Sequence, residues 1–172
     1  MTRPAPVPAA DDVDYRRGPW RSLDVSSRGR PFVKRRGIDL KWFGIYWHRL
    51  PNPDPGVDLH DHPWSAVILI LRGGYEERYA ETRAPAAEDT RRFRAGQVRR
   101  LRSTECHTIT TVAPNTWTLV IRGPRRAKTP IGPVDKRGAW GFYQPDDTGT
   151  YRWIPHTLYD YETRRHCEVA RR

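Results

Sequence analysis

Apolar residues in this chain come in short runs, β-branched or aromatic, each cut off by glycine or proline. That pattern restricts it to a fold of many short strands. Trp42 to Leu50 reads as a strand halted by Pro51-Asn52-Pro53-Asp54-Pro55-Gly56. Trp64 to Leu71 reads as a second, ended by Gly73-Gly74, after which Tyr75 to Tyr79 alternates as a third. Arg91 to Arg94 and Val98 to Arg102 flank Gly96 as short strands around a turn. Thr108 to Val112 and Thr116 to Ile121, divided by Pro114-Asn115, read as a hairpin. No amphipathic helix longer than about two turns competes with these strands, so the expected class is all-β, a sandwich or barrel.

At 172 residues the chain fits one domain and buries enough surface to fold without a metal or a disulfide framework. Residues 1–18, rich in Pro, Ala and Asp, are expected to be a flexible arm. The domain is expected over 19–165 with its barrel core about 42–122, followed by a loop-rich aromatic C-terminal segment and a disordered tail at 166–172. Cys106 and Cys167 are too few for a disulfide scaffold, and no secretion signal or membrane-spanning run is evident, which together point to the cytoplasm. The net charge of +11 makes an anionic partner worth weighing. Nearly all of that charge is arginine, a bias that a GC-rich genome produces without functional cause.

Three histidines carry the chemistry. In His60-Asp61-His62, just before a strand, alternation puts both imidazoles on one side and Asp61 on the other, where it is expected to bond loop backbone. His107 lies in a later strand. If its ring joins the pair, three ligands leave positions open for water, oxygen or substrate. Taken alone, a His-x-His pair is as readily two structural histidines hydrogen-bonded near a loop.

The register of these residues resembles the cupin superfamily. His60 and His62 take the paired histidine positions of the first cupin motif and Gly73 or Gly74 its closing glycine; Gly96 and His107 have the spacing of the second motif. The motif glutamate is replaced by Ala66 or Val67, and Arg102, Thr104 and Thr111 stand where the second motif has proline, glycine and asparagine. The resemblance implies a cupin-type jelly-roll β-barrel holding one divalent metal ion through His60, His62 and His107. Fe(II) is preferred, with Zn, Ni or Mn as alternatives. A three-histidine site without a carboxylate is similar to that of the thiol dioxygenases. The runs Leu59 to Trp64, Leu71 to Tyr75, Trp117 to Ile121 and Trp140 to Phe142 resemble small single-domain cupins of actinobacteria and their phages, a likeness that bears on fold and carries no activity.

Beyond the ligands, Tyr46, Arg72, Tyr75 and Arg122 are the polar side chains expected at the pocket rim, where an arginine would grip a carboxylate or phosphate. The face Trp64, Ala66, Ile68, Ile70 is expected to form an apolar floor. Glu105 is expected in solvent, with a fourth ligand position as the alternative, and His48 in a pocket wall or as a structural histidine. His156 and His166 receive no role. Two functions remain open: a metal-dependent oxygenase or other metal-dependent cupin enzyme acting on a small molecule, anionic or neutral, and a non-catalytic cupin that binds a ligand or nucleic acid. The second draws on arginine pairs scattered over the whole chain without a nucleic-acid motif. A homodimer is the default assembly and no membrane contact is expected.

Overall fold

A computed structural model of the chain describes residues 13–27, 30–55, 58–81, 88–125, 128–129, 132–133 and 140–155, and among them there is no helix. The first sheet has seven strands in the order β1 (Val13–Arg17), β2 (Trp20–Ser27), β3 (Arg30–Asp39), β4 (Gly44–Leu50), β11 (Thr116–Arg122), β6 (Ala66–Arg72) and β9 (Val98–Leu101). The second has six: β15 (Tyr151–Pro155), β14 (Gly141–Pro145), β5 (Leu59–His60), β10 (Cys106–Val112), β7 (Gly74–Ala80) and β8 (Asp89–Arg94). A separate ribbon pairs β12 (Lys128–Thr129) with β13 (Gly132–Pro133). The all-β expectation holds; the sheets pack as a jelly roll that does not close into one continuous barrel.

Tight turns in this fold hand the chain from one sheet to the other. Gly73, at φ +69°, links β6 of the first sheet to β7 of the second, and Gly96, at φ +86°, links β8 to β9 in the opposite sense. Asn115, at φ +56°, does the same between β10 and β11. The expected hairpin at Pro114-Asn115 is therefore corrected: β10 pairs with β7 and β5, whereas β11 pairs with β4 and β6. A left-handed residue permits a sharp reversal whichever sheet the next strand joins, so the turn signal was right and the pairing inferred from it was not.

Between the sheets lie Tyr46, Leu50, Ile68, Ile70, Leu101 and Val120 from the first, Tyr75 from the second, and Trp64, which precedes β6. Trp64, Ala66, Ile68 and Ile70 are all buried, as their spacing predicts, and of them Trp64 and Ile68 line the cavity. Burying one such branched side chain stabilises by roughly 1.5–3 kcal/mol.

Two long strands, β2 and β3, lie outside the core expected at 42–122. Their register runs from Trp20–Ile38 to Ser27–Arg30, and β3 continues the first sheet onto β4. Polar and arginine-rich, they escape a reading that looks for apolar runs. The expected arm over 1–18 includes β1 at its end, while residues 1–12 and the tail at 166–172 lie outside the described residues. So do Cys167, His156 and His166.

Candidate metal centre

β5 is two residues long and is pinned on both edges, with His60 opposite His107 of β10 and opposite Phe142 of β14. Beyond it the chain stays extended, so Asp61 turns away from its neighbours. It is fully buried: its Oδ1 accepts the Gly141 N–H at 2.9 Å, and its own N–H donates to the Gly141 carbonyl at 3.0 Å. This clamp, in which Asp61 bonds backbone as alternation requires, holds the histidines on either side toward the interior.

The three rings converge. Their centroids lie 4.8 Å apart for His60–His107, 5.1 Å for His60–His62 and 5.2 Å for His62–His107. One ring nitrogen from each falls within 4.8 Å of the others. Nitrogens sharing one ion at about 2.1 Å stand roughly 3.0–3.4 Å apart. The two Nε2 atoms of His62 and His107, at 3.0 Å, already have that separation. Trp64 stacks on His62 at 4.6 Å, while Trp140 and Phe142 close on His60 at 5.9 and 5.7 Å.

Behind His107 stands an ionic network that sequence reading did not find. His107 Nδ1 lies 2.8 Å from Oε2 of Glu77, a side chain with no solvent exposure. That contact places the proton on Nδ1 and turns the Nε2 lone pair toward His62. Glu77 in turn takes Arg99 at 2.9 Å and Arg91 at 3.1 Å, and both arginines also pair with Glu105. Two acids thus balance two bases around the ring. Glu105 is buried inside this network, which corrects both earlier readings of it, solvent-exposed and fourth ligand. A signal for Glu77 did exist: it shares the β7 face of Tyr75, two residues away.

Burial holds His62 well below the ordinary imidazole range, helped by the neighbouring charges of His60 and His107. His107 is held down by burial, His60, Arg99 and Arg91, and His48 by burial and Arg35. His62, His107 and His48 are therefore neutral near pH 7, the form that offers a lone pair. Burial raises Glu77 above the usual carboxylate range against the pull of Arg99 and Arg91, and raises Asp54 against His60 and the Ile109 N–H.

The depressed imidazoles imply acid lability. In the unfolded chain each histidine takes a proton near pH 6.5; in the native chain it does so only at much lower pH. Stability is therefore full above about pH 6.5 and drains as pH falls toward the native values, by up to about 1.4 kcal/mol per histidine per pH unit. Protonation of Glu77 and Asp54, favoured in the native state, offsets part of the loss. The urea midpoint of metal-free protein should fall between pH 7 and 5, and a flat profile over that range would contradict the assignment of neutral, buried rings.

A cavity in two chambers reaches the cluster. The outer, of about 200 Å³, is lined by His60, His62, Arg35, Asp54, Trp64 and Trp140 among others. The inner, of about 90 Å³, adds His107, His48, Tyr75 and Thr118. Of the four side chains expected at the rim, Tyr75 is on the inner wall. Tyr46 and Arg122 are buried and meet through Arg122 Nε and the Tyr46 hydroxyl at 3.4 Å, and Arg122 also pairs with Asp39; neither lines the chambers. Arg72 is exposed, opposite Trp117 at the far end of β6, and lines neither chamber. His48 is a wall residue, its Nε2 accepting from Arg35 Nε at 2.8 Å.

No family model matches the chain, and no curated protein matches it in sequence. Among solved structures it is similar to HEPD of Streptomyces albus, determined with its substrate 2-hydroxyethylphosphonate and Fe(II) bound, at 12% identity and a TM-score of 0.51. That match covers 64% of this chain and 25% of the other, so the chain spans a quarter of that protein's length. KdgF from Halomonas sp. matches at 13% identity over 62% of this chain and 88% of that one, with a TM-score of 0.44. The Fe(II) form of HppE matches at 8% identity over 67% and 65%, with a TM-score of 0.49. Likeness at these identities is likeness of fold.

Proposed function

Because the chain has the cupin fold, we propose that it is a metal-dependent enzyme, an Fe(II) oxygenase of a small organic molecule, with His60, His62 and His107 as the metal ligands. The observation that carries the reading is the convergence of three imidazoles, one of them oriented by a buried carboxylate, at the wall of a cavity. Metal-binding histidines are commonly fixed through their other ring nitrogen in this way. The Fe(II) bound by HEPD, a protein of like fold, favours iron over the other ions that imidazole accepts.

An Fe(II) ion held by these rings would bring redox chemistry with dioxygen at the positions they leave open. The chain's own contribution is geometric and electrostatic. Glu77 keeps the proton of His107 on Nδ1, leaving Nε2 to donate. Trp64, Trp140 and Phe142 pack against His60 and His62 and give the two rings an aromatic surround. Tyr75, whose phenol burial pushes far above its usual range, stays a hydrogen-bond donor, and its position on the inner wall supports a role for it in meeting substrate.

Anaerobic loading with Fe(II) should yield one metal ion per chain, and nitric oxide, read by electron paramagnetic resonance, should bind that iron at an open position. Zinc retained from expression with no displacement by iron would move the protein to the second reading, a Lewis-acid isomerase or hydrolase on the same ligands. Affinity for single-stranded nucleic acid that falls steeply with salt, in a protein that takes up no metal, would overturn both.

A further inference from the structure

Arg35 lies in the middle of β3 and lines both chambers alongside His60 and His62. Its Nε donates to His48 Nε2 at 2.8 Å, and its guanidinium carbon sits 5.0 Å from the centroid of the Tyr46 ring. These two contacts hold the group, and neither neutralises it. Other arginines of the interior are paired with acids: Arg99 with Glu77 and Glu105, Arg122 with Asp39. Among the described residues Arg35 has no carboxylate partner, and its two terminal nitrogens make no hydrogen bond.

The acids that share the outer chamber are engaged elsewhere. Asp54 Oδ2 accepts the Ile109 N–H at 2.7 Å and lies 4.0 Å from His60 Nδ1. Asp58 is buried and has a partner of its own. Asp39, whose charge reaches Arg35, is taken by Arg122, Arg21 and Arg125. Arg125 itself lines the outer chamber and adds positive charge there. A half-buried guanidinium at a cavity wall without a paired carboxylate favours an anionic partner, and its planar fork of N–H groups matches an oxyanion with two parallel bonds.

We propose that Arg35 anchors the oxyanion group, carboxylate or phosphoryl, of the ligand that reaches the three histidines, with His48 and Tyr46 fixing the direction of its fork. The ligand class follows: a small organic acid or phosphorylated molecule, short enough for its anionic end to rest on Arg35 while another part reaches the imidazoles. This rests on the metal-site reading above, because the histidines define the other end of the ligand. Cavity volume agrees with so small a molecule, since about 200 Å³ in the outer chamber leaves no room for a polymer.

Calorimetric titration of the full-length, metal-loaded protein with acetate and, separately, inorganic phosphate at low ionic strength tests the assignment, with metal content measured on every sample. Wild type should bind one of the two anions, and which one distinguishes a carboxylate from a phosphoryl ligand. Arg35→Gln should weaken that binding at least tenfold with the metal content unchanged. Arg35→Lys should fall between, because it keeps the charge and loses the fork. Should Arg35→Gln fail to fold, the lysine variant decides: a loss of threefold or more supports the assignment, and wild-type affinity overturns it. Folded Arg35→Gln with wild-type anion affinity, or a wild type that binds neither anion, also overturns it. Anion binding that depends on Arg35 in a protein taking up no metal would leave this assignment standing and remove the metal centre instead.

Discussion

Glu77→Ala is expected to cost about 3–5 kcal/mol of stability, the range seen when one partner of a buried ion pair is deleted. Glu77 and Glu105 balance Arg99 and Arg91 in a region where Glu77 and Arg99 have almost no exposure. Without Glu77, two guanidinium groups are left to one carboxylate, and the His107 Nδ1–H loses its acceptor. Urea unfolding of the metal-free protein measures the loss; a cost below about 1 kcal/mol would mean that water or another group already compensates the network. Two further variants separate charge from geometry. Glu77→Gln keeps an acceptor for His107 and should lower metal affinity by roughly 10- to 100-fold while costing less stability. Glu77→Leu combined with Arg99→Met removes the pair together and should recover much of what Glu77→Ala loses.

His107→Ala and His60→Ala should each reduce bound metal from one ion per chain to a trace after dialysis, with any turnover lost alongside. A site of three imidazoles has little affinity to spare, and two ligands hold a divalent ion far more weakly. His48→Ala, which removes a wall residue outside the cluster, should retain the full complement of metal. Equal metal content in all three variants would show that the ion, if any, is bound elsewhere. Circular dichroism should confirm that the variants keep their strands, because the ladder between β10 and β7 is made by backbone and not by the His107 ring.

The legible parts of this protein were those with a two-residue period and a glycine or proline to end them. Trp64 through Ile70, the shared side of His60 and His62 and the opposite turn of Asp61 follow from alternation on an extended chain, whereas His107 came from the spacing that resembles the second cupin motif. Strand partners did not, because Asn115 and Gly73 report a reversal without saying which sheet receives the chain. The charged interior was the other gap. Glu77 and Arg99 look like surface residues in a sequence so rich in charge, and only their pairing across strands makes burial tolerable, while Arg35 is half-buried and faces the cavity. Each nonetheless shares a face with an apolar neighbour two positions away, Tyr75, Leu101 and Val33 respectively. Reading charged and apolar residues together on one face would have exposed all three.

The shortness of β5 has a consequence for synthesis. His60 leaves the ribosome early, but the strands that hold it in place carry residues 107 and 142, and the clamp on Asp61 comes from Gly141. A nascent chain halted before Gly141 would possess His60, His62 and His107 and still lack a fixed place for the first. Assembly of the centre thus waits on contacts distant in sequence, which form slowly, and loading with metal becomes a measure of how much of the polypeptide has finished folding.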